Sequence, residues 1–398
     1  MAMQDLFSVI YDKKFQEFFK KKNVGLMIAD FMESSEINKE GQTLNRPIKP
    51  SVPNPRRLTA GNDHQIDNPV PTVETLTVNQ LWEASFRLLD TDIKQSNIKD
   101  LASQFGDVYA QALSNKVDAD VLFESTKATS TVDNTVTGGS AGDGIVMSTS
   151  NIVKLSGKAV EKLTLLDVET SNMVAAVPAQ YMTFLTEYLA SKNTDMGDEI
   201  GMNGFAGSYN GIKHYISNNL TGSVNVAWGT NPSNGQTVVI NGVTFTFVTS
   251  IGTTAGNVLI WGSAALTAAN LNTLLNTPSV TTATGVALTG DNLYAIDAWV
   301  SSTNNSGTLT IKFKGYNKAV VSAGTSSPTL SKYVTHGLIA KKGNPTCIMQ
   351  MGFGTYEANK EPKQIGTVNH LRKILYGIKS FDDNKKQMVN VLIDSTSF

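Results

Sequence analysis

Asp92 to Phe123 reads DIKQSNIKDLASQFGDVYAQALSNKVDADVLF, and the rest of the chain is organised around it. Apolar residues at Ile98, Leu101, Phe105, Val108, Ala112, Val121 and Leu122 recur in steps of three and four, which places one stripe along a helix. No proline and a single glycine interrupt the run. Asp92 with Gln95 has capping-box spacing, and Ser96 is the other candidate cap. A helix this long is a spine, and its expected core contacts are Ile98, Leu101, Phe105 and Val108. The segments C-terminal to it must fold back onto it.

The chain has 398 residues, with 33 basic and 34 acidic side chains and 40% hydrophobic residues, enough for a substantial core in two or three lobes. A net charge of −1 argues against a dedicated nucleic-acid binder, whose affinity comes from neutralising phosphates. One cysteine, Cys347, excludes an intrachain disulfide and a thiolate-rich metal site, and reads as a small buried residue in the strand TCIMQM. The N-terminus has no signal-peptide pattern and no apolar run is long enough for a membrane span, so a soluble protein used inside a cell is expected, with no membrane partner.

Residues 4 to 22 read as an amphipathic helix whose aromatic residues, Phe15 and Phe18 among them, dock on a neighbour or on the chain itself. From Glu40 to Pro71 the segment holds six of the twelve prolines and few bulky apolar residues. Proline removes backbone donors and disfavours helix and central strand, so an extended arm without its own core is expected, ordered by another subunit. Arg46, Lys49, Arg56 and Arg57, with Asp63 and Asp67 on the returning limb, are candidates to pair across that contact. Strand alternation over 72–78 then leads into the spine through Trp82 and Phe86.

After a polar loop, a helix over 151–166, a buried strand SNMVAAV, a helix after Pro178 and a strand over 211–217 indicate a small α/β lobe. Between 222 and 331 only Asp291, Asp297, Lys312, Lys314 and Lys318 carry charge, which marks a separate β-rich inserted domain. Its expected parts are a hairpin turning at Asn241-Gly242, a helix LTAANLNTLLN, a strand NLYAIDAWV and a strand GTLTIKFKG. Strands at TCIMQMGF, HLRKILYGIKSF and MVNVLI must return to the earlier lobes.

Catalytic signals are thin. Gly138 to Gly142 matches G-x-S-x-G around Ser140, but no hydrophobic strand leads into it. His64, His214, His336 and His370 are scattered, with no metal-site spacing. Asp118 and Asp120, two apart, read as a solvated end of the spine rather than as an acid–base pair. Gly352-x-Gly354 lacks the rest of a dinucleotide fingerprint. No enzyme and no cofactor or metal is expected.

The order of these parts resembles the major capsid protein family of tailed bacteriophages, with its Hong Kong 97 type fold. The resemblance rests on VETLTVNQLWEASFRLLDTDIKQSNIKDL with its Gln95-Ser96 pair, ALSNKVDADVLF including Asp118, VAAVPAQYMTFL, GFAGSYNGIKHYISNNL and LYGIKSFDD. It implies an α+β chain with an N-terminal arm (1–36), an extended loop (37–75), a peripheral domain (76–150) carrying the spine helix (92–123) and an axial domain (151–221). The inserted domain (222–331) and a return to both lobes (332–398) complete it. It further implies hexamers and pentamers of the chain itself in an icosahedral virion shell around double-stranded DNA, held by weak non-specific contact and assembled in the host cytoplasm. A separate scaffolding protein, a portal protein and a possible decoration protein are the implied partners. The rival readings are a bacterial nanocompartment shell, a glycan-binding surface protein and a serine hydrolase using Ser140.

Overall fold

The protein is described from a computed structural model, which covers residues 23–30, 43–48, 55–57, 70–89, 101–192, 208–351, 356–360 and 367–396. The expected helix at 4–22, the capping residues Asp92, Gln95 and Ser96, and Gly352 and Gly354 lie outside the described residues.

The spine helix runs from Leu101 to Phe123, about 35 Å at the usual rise. Its core face differs from the expected one. Val108 is 40% exposed and Phe105 half-buried, while Leu113, Val117, Val121 and Leu122 are buried. Ile98 lies outside the described residues, as does the side chain of Leu101. The reason is the uneven cover along the helix. Around Phe105 it is covered on one side, where Phe105 and Tyr109 meet Phe86 of β3 (Gln80–Leu89) and Gly106 meets Arg372. Its last two turns are enclosed on every side, so burial there loses its period and takes in Lys116, Asp118 and Asp120. Leu122→Ala is therefore expected to cost about 2 to 5 kcal/mol in urea unfolding, and Val108→Ala less than about 0.5 kcal/mol.

The arm is anchored as a two-stranded antiparallel ribbon of β1 (Thr43–Ile48) and β2 (Thr72–Thr77), with Pro47 opposite Val73. Among the described residues no third strand pairs with either edge, and a strand at a sheet edge tolerates that proline. β3 pairs with the long strand β18 (Thr367–Lys379), whose other edge takes β16 (Thr346–Met351) and β17 (Tyr356–Lys360). The even residues of β3 turn toward the spine while Leu81 and Leu89 stay exposed. Cys347 is buried in β16, as expected.

The α/β lobe is built on β5 (Met173–Val177), an unbroken apolar strand buried on both faces. Helices Thr149–Thr164 and Ala179–Ala190 cover one face with Ile152, Leu155, Tyr181 and Leu185. The end of the spine and the single turn Gly25–Ile28 cover the other, through Leu122, Val24 and Ile28. Ser148 caps the first helix by accepting the Asn151 N–H.

The segment 222–331 has a core of its own but shares its sheet with this lobe. β8 (Thr221–Ala227) and β15 (Thr329–Lys341) cross the expected boundaries, and neither strand stands out in the sequence. One nine-stranded sheet runs β12 (Val300–Asn305), β13 (Thr308–Phe313), β8, β15, β5, β7 (Ile212–Ile216), β6 (Ser208–Tyr209), with β19 (Met388–Asp394) and β4 (Ser130–Val132) joined through β15. A second sheet of β9 (Thr237–Ile240), β10 (Val243–Val248), β11 (Asn257–Leu259) and β14 (Val321–Ser322) lies within the segment. The hairpin turns at Asn241 and Gly242, φ 49° and 78°, the positive values that its two-residue loop requires. The helix Ala264–Asn276 forms as expected. NLYAIDAWV does not form a strand: Gly290–Asp297 is a helix, because Leu293 and Ile296, three apart, face the segment's core while Tyr294 stays exposed. β12 begins only after it.

Candidate assembly surface

The ribbon is rooted in its own chain. Arg46, a candidate for pairing with another subunit, has an internal partner in the single chain: it pairs with Asp383 at 3.0 Å and lies 5.1 Å from the Phe381 ring centre. The register places Arg46 opposite Glu74, at the arm's root rather than its tip. Lys379 donates to the Thr75 carbonyl at 2.8 Å, and Glu74 accepts the Asp382 N–H at 3.0 Å. Leu76 and Val78 close the root against Ile348 and Phe381. Beyond it the chain presents Val70 and Val73, 77% and 58% exposed, and the exposed pair Arg56 and Arg57. Phe15, Phe18, Lys49, Asp63 and Asp67 lie outside the described residues. Apolar exposure continues over the peripheral lobe at Leu81, Leu89 and Val108.

Behind this surface lies a buried polar centre, the reverse of the expected solvated end. Asp118 accepts the Gly25 N–H at 2.6 Å and the Asn219 amide at 2.7 Å, and burial raises its pKa. Asp120 takes Lys116 Nζ at 2.6 and 2.7 Å, the Tyr376 hydroxyl at 2.5 Å and Lys314 at 3.3 Å. Burial opposes the charge of Asp120, but Lys116, Lys314 and those hydrogen bonds outweigh it and hold the carboxyl below its ordinary range. Lys116 also lies 4.6 and 5.4 Å from the ring centres of Trp82 and Trp299. The centre joins the spine, β18 and the inserted segment. At the same contact Gly315, φ 71°, lets the segment approach closely, since a Cβ there would come within 3.1 Å of Ala119.

Chemistry-bearing residues elsewhere are mostly structural. Ser140 is exposed in a turn tied down by Asp133, which accepts the Gly142 N–H at 2.8 Å. Burial pushes the Cys347 thiol up to about 12, far from a reactive thiolate. His370 stacks on Phe86 at 4.7 Å, and His214 stacks on Tyr181 at 5.5 Å. Burial pushes the His214 ring down to about 4. His64 lies outside the described residues. His336 bridges Ser223 and Asn390 at 2.9 and 3.1 Å across three strands, a grouping that distant sequence positions hide. No group of three metal-ligating side chains occurs among the described residues, and no helix there is long and apolar enough to cross a membrane.

No protein-family model matches the chain, and no curated protein does. Solved structures do match, over nearly all of it. A chain from Mycobacterium phage Che8 is 12% identical with a TM-score of 0.59, covering 98% of each chain. The capsid of cyanophage P-SCSP1u matches at 10% identity and TM-score 0.52, over 99% of this chain and 95% of that one. The bacteriophage PhiM1 mature capsid matches at 11% and 0.50, over 99% and 93%. With the rooted ribbon, the spine helix and the α/β lobe in one order along the chain, the α+β architecture is the Hong Kong 97 type fold of tailed-phage major capsid proteins.

Proposed function

We propose that the chain is a major capsid protein that self-assembles into an icosahedral shell around the double-stranded DNA of a tailed bacteriophage. The observation that carries this reading is the end-to-end likeness, inserted segment included, to chains of two phage capsids. A ribbon whose edges pair with no other described strand, with exposed Val70 and Val73, supports it, since such an arm gains its contacts from a neighbouring copy. On this reading the virion is the protein's site of action, with assembly in the host cytoplasm. Hexamers and pentamers of the chain are the repeating contacts, with a scaffolding protein, a portal protein and a possible decoration protein as partners. The net charge of −1 suits a wall that confines DNA by weak, non-specific contact.

The inserted segment is assigned to stabilising neighbouring subunits on the outer surface. Its exposed Trp261, Leu266 and Tyr294 supply apolar area, and its few charges make such contacts nearly independent of salt. The test is negative-stain imaging with particle mass measurement of the purified chain, expressed alone and with a scaffolding protein. Shells, tubes or capsomers at multiples of the subunit mass are expected. Deleting Pro50 to Ala60 is expected to leave a folded monomer that no longer closes shells. An intact chain that remains monomeric under all these conditions overturns the proposal.

A further inference from the structure

We propose that His336 is an acid-released latch that holds the inserted segment to the α/β lobe. The ring sits on β15 between two strands with different allegiances. β8 sends Val224 and Val226 into the core of the inserted segment, whereas β19 sends Val389, Val391 and Ile393 into the core of the lobe. His336 Nε2 lies 2.9 Å from Ser223 Oγ on β8, and Nδ1 lies 3.1 Å from Asn390 Oδ1 on β19. An amide oxygen only accepts, so Nδ1 carries the proton and Nε2 accepts from the Ser223 hydroxyl. Protonating Nε2 turns that acceptor into a donor, so the Ser223 hydroxyl has to turn and accept, and the ring becomes a buried cation enclosed between strands that offer it no counter-charge.

The surroundings do not compensate the new charge. From β13, Lys312 adds a second positive charge; β8 and β19 present the uncharged Ser223 and Asn390. Lys332 and Asp143 beside the cleft pair with each other at 3.3 Å, and Glu124 and Lys127 on the neighbouring turn pair at 2.5 Å. Further along β19, the Asp394 carboxylate accepts the Thr396 N–H at 2.8 Å. Burial, then Lys312, pushes the ring down to about 4. A cleft of about 220 Å³ lined by Ser223, Asn225, Thr310, Lys332 and His336 gives solvent protons a route to it.

The unfolded chain binds this proton below about pH 6.5 and the folded chain only near 4, so the latch is at full strength above 6.5 and is lost as pH falls toward 4. The latch acts within one chain and does not depend on shell building. Hydrogen exchange of the full-length chain, corrected for intrinsic rates, tests it between pH 7 and 4. Thr221–Ala227 and the first half of β15 are expected to lose protection on the order of a hundredfold, while the helix Thr149–Thr164 keeps its own. His336→Gln is expected to abolish this pH dependence, and His214→Gln, whose ring has a similar shift but no bond to the inserted segment, to retain it. Protection of β8 that does not change with pH, or unchanged acid sensitivity in His336→Gln, overturns the latch. If His336→Gln does not fold, the wild-type ring decides by NMR. Titration near 4 in step with the loss of β8 protection supports it, and titration near 6.5 overturns it.

Discussion

Asp120→Ala is expected to cost about 3 to 5 kcal/mol in denaturant unfolding, far more than the loss of a surface ion pair. The carboxylate receives Lys116, Lys314 and Tyr376 in a site where the Lys116 and Asp120 side chains are 5% and 10% exposed. Removing it leaves Lys116 buried among Trp82 and Trp299 without its counter-charge. Lys127→Ala, which removes a half-exposed partner of Glu124, is expected to cost under about 1 kcal/mol. The pH dependence separates charge from packing. Asp120 has a folded pKa below its ordinary 3.8, so its contribution is complete above that value and is lost as pH falls through the depressed one. In Asp120→Ala that acid limb disappears. Burial lowers Lys116, so the variant regains part of its loss as pH rises toward 10.5 and the buried amine sheds its proton. A variant with wild-type stability and the wild-type acid limb would show that the centre is not ionised as described.

The second large effect concerns where the inserted segment ends. A fragment spanning 219–336, with β8 and the first half of β15, is expected to melt cooperatively by itself. A fragment cut at 228 and 328 is expected not to. Val224 and Val226 are fully buried and pair with Leu309 and Ile311 through the β8–β13 ladder. Losing two buried side chains of this size forfeits about 3 to 6 kcal/mol, comparable to the whole stability of a small domain. The same strands serve the lobe, so replacing 222–331 by a Gly/Ser linker is expected to lower the melting temperature of the remaining chain. Calorimetry of the three proteins checks this; a cooperative melt of the 228–328 fragment would restore the boundaries expected from charge density.

Local elements whose pattern needs no partner are legible in the sequence alone. The spine comes from a long run with helical period and no proline, the hairpin from Asn241-Gly242, and the buried β5 from MVAAV. Their order was enough to show a resemblance to the capsid fold. Which faces lie inside was set by packing between distant segments. Val108 fits the helical stripe but stays 40% exposed, while Lys116, Asp118 and Asp120 read as surface and are buried because four parts of the chain converge on them. Arg46 finds Asp383, 337 positions away. The links between inserted segment and lobe were hidden for the same reason. Strands β8 and β15 carry Ser223, Asn225 and His336 at positions where neighbouring strands satisfy them, and a polar side chain bonded across a sheet has no signature in its own sequence. Periodicity reports what a segment does with its own two faces; burial of charge and the merging of sheets depend on residues hundreds of positions apart.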